Sequence, residues 1–155
     1  MKVLGFRGDP KAPRYAVVSE VGGAYTLENA ASDNKLSVPA SIGEDQHADR
    51  LAWVYREILA VLEAHPGIQR VIIKQNEFTQ SDDKSKRHTA HIDAAVVLAC
   101  ALKSLPVEIK LYNSLSTKRS DTKVHAEARV GKSAKYWDEK MADAVNAAWW
   151  GLRNQ

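Results

Sequence analysis

Apolar positions along this chain change period twice, and the changes mark out its elements. Residues 2–6 form a compact run, Val3-Leu4-Gly5-Phe6, which Arg7-Gly8-Asp9-Pro10 breaks because glycine and proline force a turn. Strand patterns at 15–20 and 24–27 flank Gly22-Gly23, a favoured hairpin signal. Leu36-Ser37-Val38 is a candidate extension of that meander. Leu51, Val54, Tyr55, Ile58 and Leu62 then recur at helical spacing, behind a capping-box pair at Ser41 and Glu44 and ahead of Pro66-Gly67. Val71-Ile72-Ile73 does not alternate, the mark of a strand covered on both faces. Residues 79–89 are polar and aperiodic and predict a loop. Ile92, Ala95, Val96, Ala99 and Leu102 predict a second helix that stops before Pro106. A fifth strand is expected at 107–112 and a short helix at 122–129. Trp137, Met141, Ala144, Val145, Ala148 and Leu152 form the stripe of a last helix.

Three meandering strands followed by helix–strand–helix–strand–helix give an α/β fold, a mixed five-stranded sheet with helices on its faces. The order β-β-β-α-β-α-β-α is that of the ribonuclease H-like fold. The 155 residues suit a single domain, 1–155, of ordinary globular composition, 45% hydrophobic and 26% charged. No apolar run approaches the ~18 residues of a membrane span, and no secretory leader pattern precedes the first strand. The lone Cys100 excludes an internal disulfide and fits a reducing compartment, so the expected location is cytoplasmic. A net charge of +3 and a pI near 9.0 permit an anionic partner without requiring one.

Candidate chemistry starts at Lys74, which ends the central apolar strand where α/β folds collect functional groups. Lys84, Lys86, Arg87 and His88 follow it; Lys118, Arg119, Lys123, Arg129, Lys132 and Lys135 follow the fifth strand. These basic segments are candidates for nucleic-acid contact, diluted by Asp82, Asp83, Asp121 and Glu127, or else solvated loops. Of the histidines, His88 and His91 stand at i, i+3, but with His125 they form no finger or zincin signature, so no metal is expected there. Cys100 lies among alanines and valines and reads as a buried, inert thiol. Trp149 and Trp150 face about 100° apart, so one of them is a candidate interface residue for a homodimer.

At four places the chain resembles the RuvC-type Holliday-junction resolvases and small bacterial proteins of that pattern. Leu4-Gly5-Phe6-Arg7 stands where such resolvases carry a strand ending in a catalytic aspartate. Arg14-Tyr15-Ala16-Val17-Val18 matches their second strand. Val71-Ile72-Ile73-Lys74-Gln75 matches the strand that ends in their catalytic glutamate. Met141-Ala142-Asp143-Ala144-Val145 matches the start of their last helix, which presents an aspartate with another acid three residues before it. On this alignment the four acidic positions hold Arg7, Lys74, Lys140 and Asp143, of which only the last is a carboxylate.

That substitution bears directly on the chemistry the resemblance implies. Paired divalent ions about 3.5–4 Å apart clamp the scissile phosphodiester, and magnesium takes oxygen ligands. Lysine and arginine offer donors only. At ~6 Å and an effective dielectric of 20, each cation opposes a dication by roughly 5–6 kcal/mol. Arg7, Lys74 and Lys140 around Asp143 therefore form either a structural ion-pair cluster, with Asp143 as the natural partner of Lys74, or an open grip for a phosphate. Periodicity alone places Asp143 about 150° from the buried stripe and Lys140 about 90° from it. Asp9, Glu77, Asp138 and Glu139 lie close enough in sequence to replace the missing carboxylates.

Three functions remain open on this reading. One is a catalytically degenerate RuvC-like domain that serves as a nucleic-acid-binding or regulatory module and needs no cofactor. Another is a magnesium-dependent, structure-selective endonuclease with displaced carboxylates. The third is a protein-interaction subunit that binds no nucleic acid.

Overall fold

A computed structural model describes residues 1–32 and 34–155. One sheet organises the molecule. Its strands are β1 (Lys2–Arg7), β2 (Arg14–Val21), β3 (Ala24–Leu27), β4 (Ile68–Lys74) and β5 (Val107–Lys110), in spatial order β3-β2-β1-β4-β5. β1 pairs antiparallel with β2 and parallel with β4; β3 and β5 complete the edges. The helices are α1 (His47–Ala64), α2 (Lys84–Leu102), α3 (Thr122–Arg129) and α4 (Glu139–Arg153). This is the predicted mixed α/β order, with the hairpin glycines Gly22 and Gly23 at positive φ.

Burial on both faces explains the unbroken apolar runs. Leu4, Phe6, Val17, Val71 and Ile73 pack beneath α1 and α2, while Val3, Ala16, Val18 and Ile72 pack beneath α4. Each fully buried aliphatic or aromatic side chain contributes about 1.5–3 kcal/mol. Gly5 sets the distance on the α4 side: a Cβ there would collide with the carbonyl oxygen of Ala144. The helix backbone therefore rests directly on β1, and Asp143 is carried to the strand's end.

Four local expectations need correction. Residues 36–38 add no strand; Leu36 N–H and Val38 N–H donate to Pro13 O and Lys11 O, and among the described residues of this segment only Lys35 forms a bridge, with Arg14. Ser41 and Glu44 do not cap α1, which starts later, behind Gln46. The 79–89 loop is cut short because Asp83 accepts from Lys86 N–H at 2.8 Å and starts α2, so Lys84, Lys86, Arg87 and His88 are helical. Trp137 precedes α4, whose first turn is capped by Asp138. Among the described residues no helix is long and apolar enough to cross a membrane.

Candidate functional site at the strand ends

The carboxyl ends of β1 and β4 run side by side, with Arg7 paired to Lys74 in the parallel register. The second turn of α4 brings Asp143 between them. Arg7 Nε donates to Asp143 Oδ2 at 3.1 Å, and its Nη2 donates to Asn76 Oδ1 at 2.8 Å. Tyr112 Oη donates to the same Asp143 oxygen at 3.0 Å, and Thr122 Oγ1 donates to the other at 2.8 Å. Burial lifts the Asp143 carboxyl above the usual aspartate range; Arg7, Thr122, Lys74 and Tyr112 offset that rise only in part. Burial and the neighbouring Asp143 charge likewise hold the Tyr112 phenol in its protonated form.

Asp143 is 2% exposed, against the solvated position its periodicity gave. The helical wheel assumes one buried face, whereas α4 is sandwiched between the sheet and α3. Thr122, on α3, supplies both a bond to Asp143 and bonds to Asn146 one turn further on.

Lys74 is buried, 1% exposed, with its ammonium 3.8 Å from the centre of the Tyr112 ring. Nζ donates to Gln75 O at 2.5 Å and to Glu77 Oε2 at 3.3 Å. The direct partner of Lys74 is thus Glu77, and Asp143, its expected partner, instead bonds Arg7 and attracts Lys74 at longer range. Desolvation lowers the Lys74 pKa; Asp143 and Glu77 oppose that fall and Arg7 adds to it. Lys140, also expected beside Asp143, forms its ion pair with Asp9.

The four carboxylates weighed as replacements, Asp9, Glu77, Asp138 and Glu139, are each engaged. Asp9 takes Lys140 and the backbone N–H groups of Lys11 and Ala12; these bonds outweigh burial and hold its pKa below the usual range. Glu77 accepts from Lys74 and from Tyr112 N–H at 3.1 Å. Asp138 caps α4 through Met141 N–H and takes Arg14 Nη2 at 2.8 Å, and Glu139 accepts from Arg119 Nε at 2.9 Å. Among the described residues no three histidine, cysteine or acidic groups are arranged to hold a metal ion.

A cavity of about 240 Å³ opens over this cluster. Five cations line it, Arg7, Lys74, Lys86, Arg119 and Lys140, against the three carboxylates Glu77, Glu139 and Asp143. One residue from each basic segment, Lys86 and Arg119, therefore reaches the same opening. Lys84 and Arg87 instead border a second cavity with His47, His88 and His91, where Lys84 faces Glu44 and Asp45 and Arg87 faces Asp82. Lys118 and Lys123 are exposed beyond the rim, Lys118 beside Asp121.

The other candidate residues lie away from this opening. His88 is buried and its Nδ1 accepts from Arg50 Nη1 at 3.0 Å; burial and Arg50 lower its pKa. His125 bonds Thr117 Oγ1. Cys100 is fully buried, and burial pushes its thiol up to about 11. The two indoles are half-buried under cations: Trp150 lies below Lys110 at 4.1 Å, and Trp149 below Arg129 at 4.0 Å. Sequence reasoning missed Asn76, Tyr112 and Thr122 as partners in the cluster, and Asp93 beside it.

No protein-family model matches the chain, and no curated protein matches it. Solved structures do. RuvC from Thermus thermophilus in complex with a Holliday junction substrate superposes with a TM-score of 0.76, covering 98% of this chain and 93% of that one at 15% identity. The Thermus thermophilus RuvC structure gives 0.75 at 14% identity over the same shares. The fold is of the ribonuclease H-like class. Within that class its arrangement is RuvC-like.

Proposed function

We propose that this chain is a nucleic-acid-binding or regulatory module built on a RuvC-like scaffold whose metal site has been replaced by ion pairs. One observation carries the reading: a buried lysine ends β4 beside an arginine that ends β1, under a cavity with a cationic excess. The donor set does not fit paired magnesium ions. Arg7 and Lys74 flank Asp143, and both repel a dication where the chemistry needs oxygen ligands. A displaced nuclease would have to free Asp9, Glu77, Asp138 or Glu139 from a cation that each already holds. The same cavity suits a phosphate, since Arg7, Lys86, Arg119 and Lys140 are among its lining and phosphate contacts supply most non-specific affinity.

Fluorescence anisotropy of labelled duplex, four-way-junction and single-stranded DNA at rising salt tests this. The expected result is salt-sensitive binding that Lys86→Glu and Arg119→Glu weaken, without strand cleavage in magnesium or manganese. Metal-dependent cleavage abolished by Asp143→Asn would establish the nuclease instead. Absence of any salt-sensitive binding at low salt would leave the protein-interaction subunit.

A further inference from the structure

The two indoles at the end of α4 each carry a pair of cations, and the two pairs differ. Trp150 lies against Lys110 and Arg70, and Glu108 holds both of those cations. Trp149 lies against Arg129, whose guanidinium carbon is 4.0 Å from the ring centre, and against Arg153, at 5.3 Å. Among the described residues neither of these arginines has a carboxylate partner. Arg129 bonds neutral acceptors only, the carbonyl oxygens of Leu115 and Ser116 and Asn146 Oδ1. Arg153 is exposed, and among the described residues it makes no hydrogen bond or ion pair.

The acids of these two helices are held elsewhere: Glu127 by Lys132, Glu139 by Arg119 and Asp143 by Arg7. Each arginine stands in the last turn of its own helix, where a cation is favoured. That accounts for either one alone and not for the two meeting at a common ring. Burial and the Arg153 charge both lower the Arg129 pKa, so the two guanidinium groups repel with no acid between them. Lys140, at the cationic cavity, and Arg153 are thirteen residues apart on α4, about 20 Å at 1.5 Å per residue. α3 covers the same interval, from Thr122 bonded to Asp143 to Arg129 against Trp149, with Lys123 exposed along it.

We propose that Arg129 and Arg153 form a second phosphate contact for DNA, about 20 Å from the cationic cavity, which rests on the nucleic-acid reading above and adds where the rest of the ligand lies. At about 3.4 Å per stacked nucleotide the gap equals about six nucleotides. Arginine forks fit phosphate in a bidentate manner, and the Trp149 ring holds the two forks together. The exposed Arg153 offers its whole fork to solvent, and Arg129 adds charge behind it. An acidic protein segment could use the same forks. Nucleic acid is favoured because a second cation site without an acid recurs along the same two helices that border the first.

The test follows anisotropy of a labelled twelve-base-pair DNA and a labelled trinucleotide at rising salt, since the trinucleotide is too short to bridge the gap. Arg153→Ala breaks no bond among the described residues and is the main variant. It should weaken binding of the long DNA at least about threefold and make its salt slope shallower by about one, the value of one phosphate. Trinucleotide binding should stay within about twofold of wild type. Arg153→Glu, which gives Arg129 an acid, should weaken the long DNA further, whereas Lys86→Glu should weaken both probes. Wild-type binding that both Arg153 variants leave unchanged in affinity and slope overturns the second contact and leaves the nucleic-acid reading standing. Equal losses on the two probes also overturn it, because the cluster would then act through overall charge. A polyglutamate peptide is titrated in parallel: binding that Arg153→Glu abolishes, with DNA binding unaffected, assigns the cluster to an acidic protein and overturns the proposal. No salt-sensitive binding of either DNA by wild type overturns both readings.

Discussion

Arg7 Nε and Asp143 Oδ2 meet at 3.1 Å across 136 residues of chain, and this contact ties the end of β1 to the second turn of α4. Both groups are nearly buried, at 12% and 2% side-chain exposure, so neither is repaired by water when the other is lost. Arg7→Ala should cost about 3 kcal/mol in urea denaturation, because it strands a buried carboxylate. A double-mutant cycle with Asp143→Ala should return a coupling of about 2 kcal/mol. A coupling near zero would mean that the pair contributes geometry without stability.

Lys74 should behave differently from Arg7. Its ammonium has lost water and gained the Gln75 carbonyl, a partly exposed Glu77 and the Tyr112 ring, with Asp143 at longer range. Removing one partner of a fully buried pair is costly, but replacing buried charges by apolar groups of similar volume is often neutral or stabilising by about 1–4 kcal/mol. Glu77, at 39% side-chain exposure, can return to water when Lys74 is lost. Lys74→Met is therefore expected to raise the melting temperature, whereas Lys74→Ala leaves a cavity and should lower it. The pH dependence has a fixed sign. The folded pKa lies below the ordinary 10.5, so the unfolded chain binds the proton more tightly and stability rises as pH climbs through that window. Lys74→Met should flatten that rise.

Asp93 gives the opposite slope. Its folded pKa of about 7 exceeds the ordinary 3.8, so the native state holds the proton more tightly than the unfolded chain. Stability from this group is greatest below 3.8 and falls as pH rises through about 7. The full swing is on the order of 4 kcal/mol, given 1.36 kcal/mol per pKa unit. Arg7 and Lys74 are the cations that moderate it, and Asp143, whose pKa is also raised, adds a slope of the same sign. Urea midpoints at pH 5 and pH 8 should lie closer together in Asp93→Asn than in wild type, the remaining difference carrying the Asp143 slope. Unchanged midpoints in wild type would place the carboxyl in an ordinary, solvated state.

Much of this arrangement was legible in the sequence, and the failures share a cause. The two-faced strands announced themselves because Val71-Ile72-Ile73 and Val3-Leu4 do not alternate. The hairpin followed from Gly22-Gly23, and the 122–129 helix matched Thr122–Arg129. Asp143 was misplaced because a wheel cannot represent a helix covered on two sides, and the small residues Ala142, Ala144 and Ala147 that permit such cover look neutral in a pattern. The first turn of α2 was missed because it offers no apolar residue; its signal was the single Asp83. Asp93 did leave a trace. Thr89, Asp93, Val96 and Cys100 follow helical spacing and all are buried, so an acid stood inside an apolar stripe. The pairing of Lys140 with Asp9 and of Lys74 with Glu77 depends on loop paths, which no periodicity encodes.

If Arg7 and Lys74 are what keep a divalent ion from the strand ends, acids in their place should admit one. Arg7→Asp with Lys74→Glu would set two new carboxylates beside Asp143 at the ends of adjacent strands, where oxygen ligands could converge on one divalent ion. Without metal this variant should be less stable than wild type, because three neighbouring carboxylates repel each other. Manganese should then stabilise it, by about 2.7 kcal/mol at a hundredfold excess over the dissociation constant, since binding only the folded state shifts unfolding by mass action. Wild type should show no such gain, because Arg7 and Lys74 oppose the ion. Melting curves with and without manganese decide the matter. A manganese-dependent rise in wild type would mean that Asp143 already serves a metal, and the ion pairs at the strand ends would have to open to admit it.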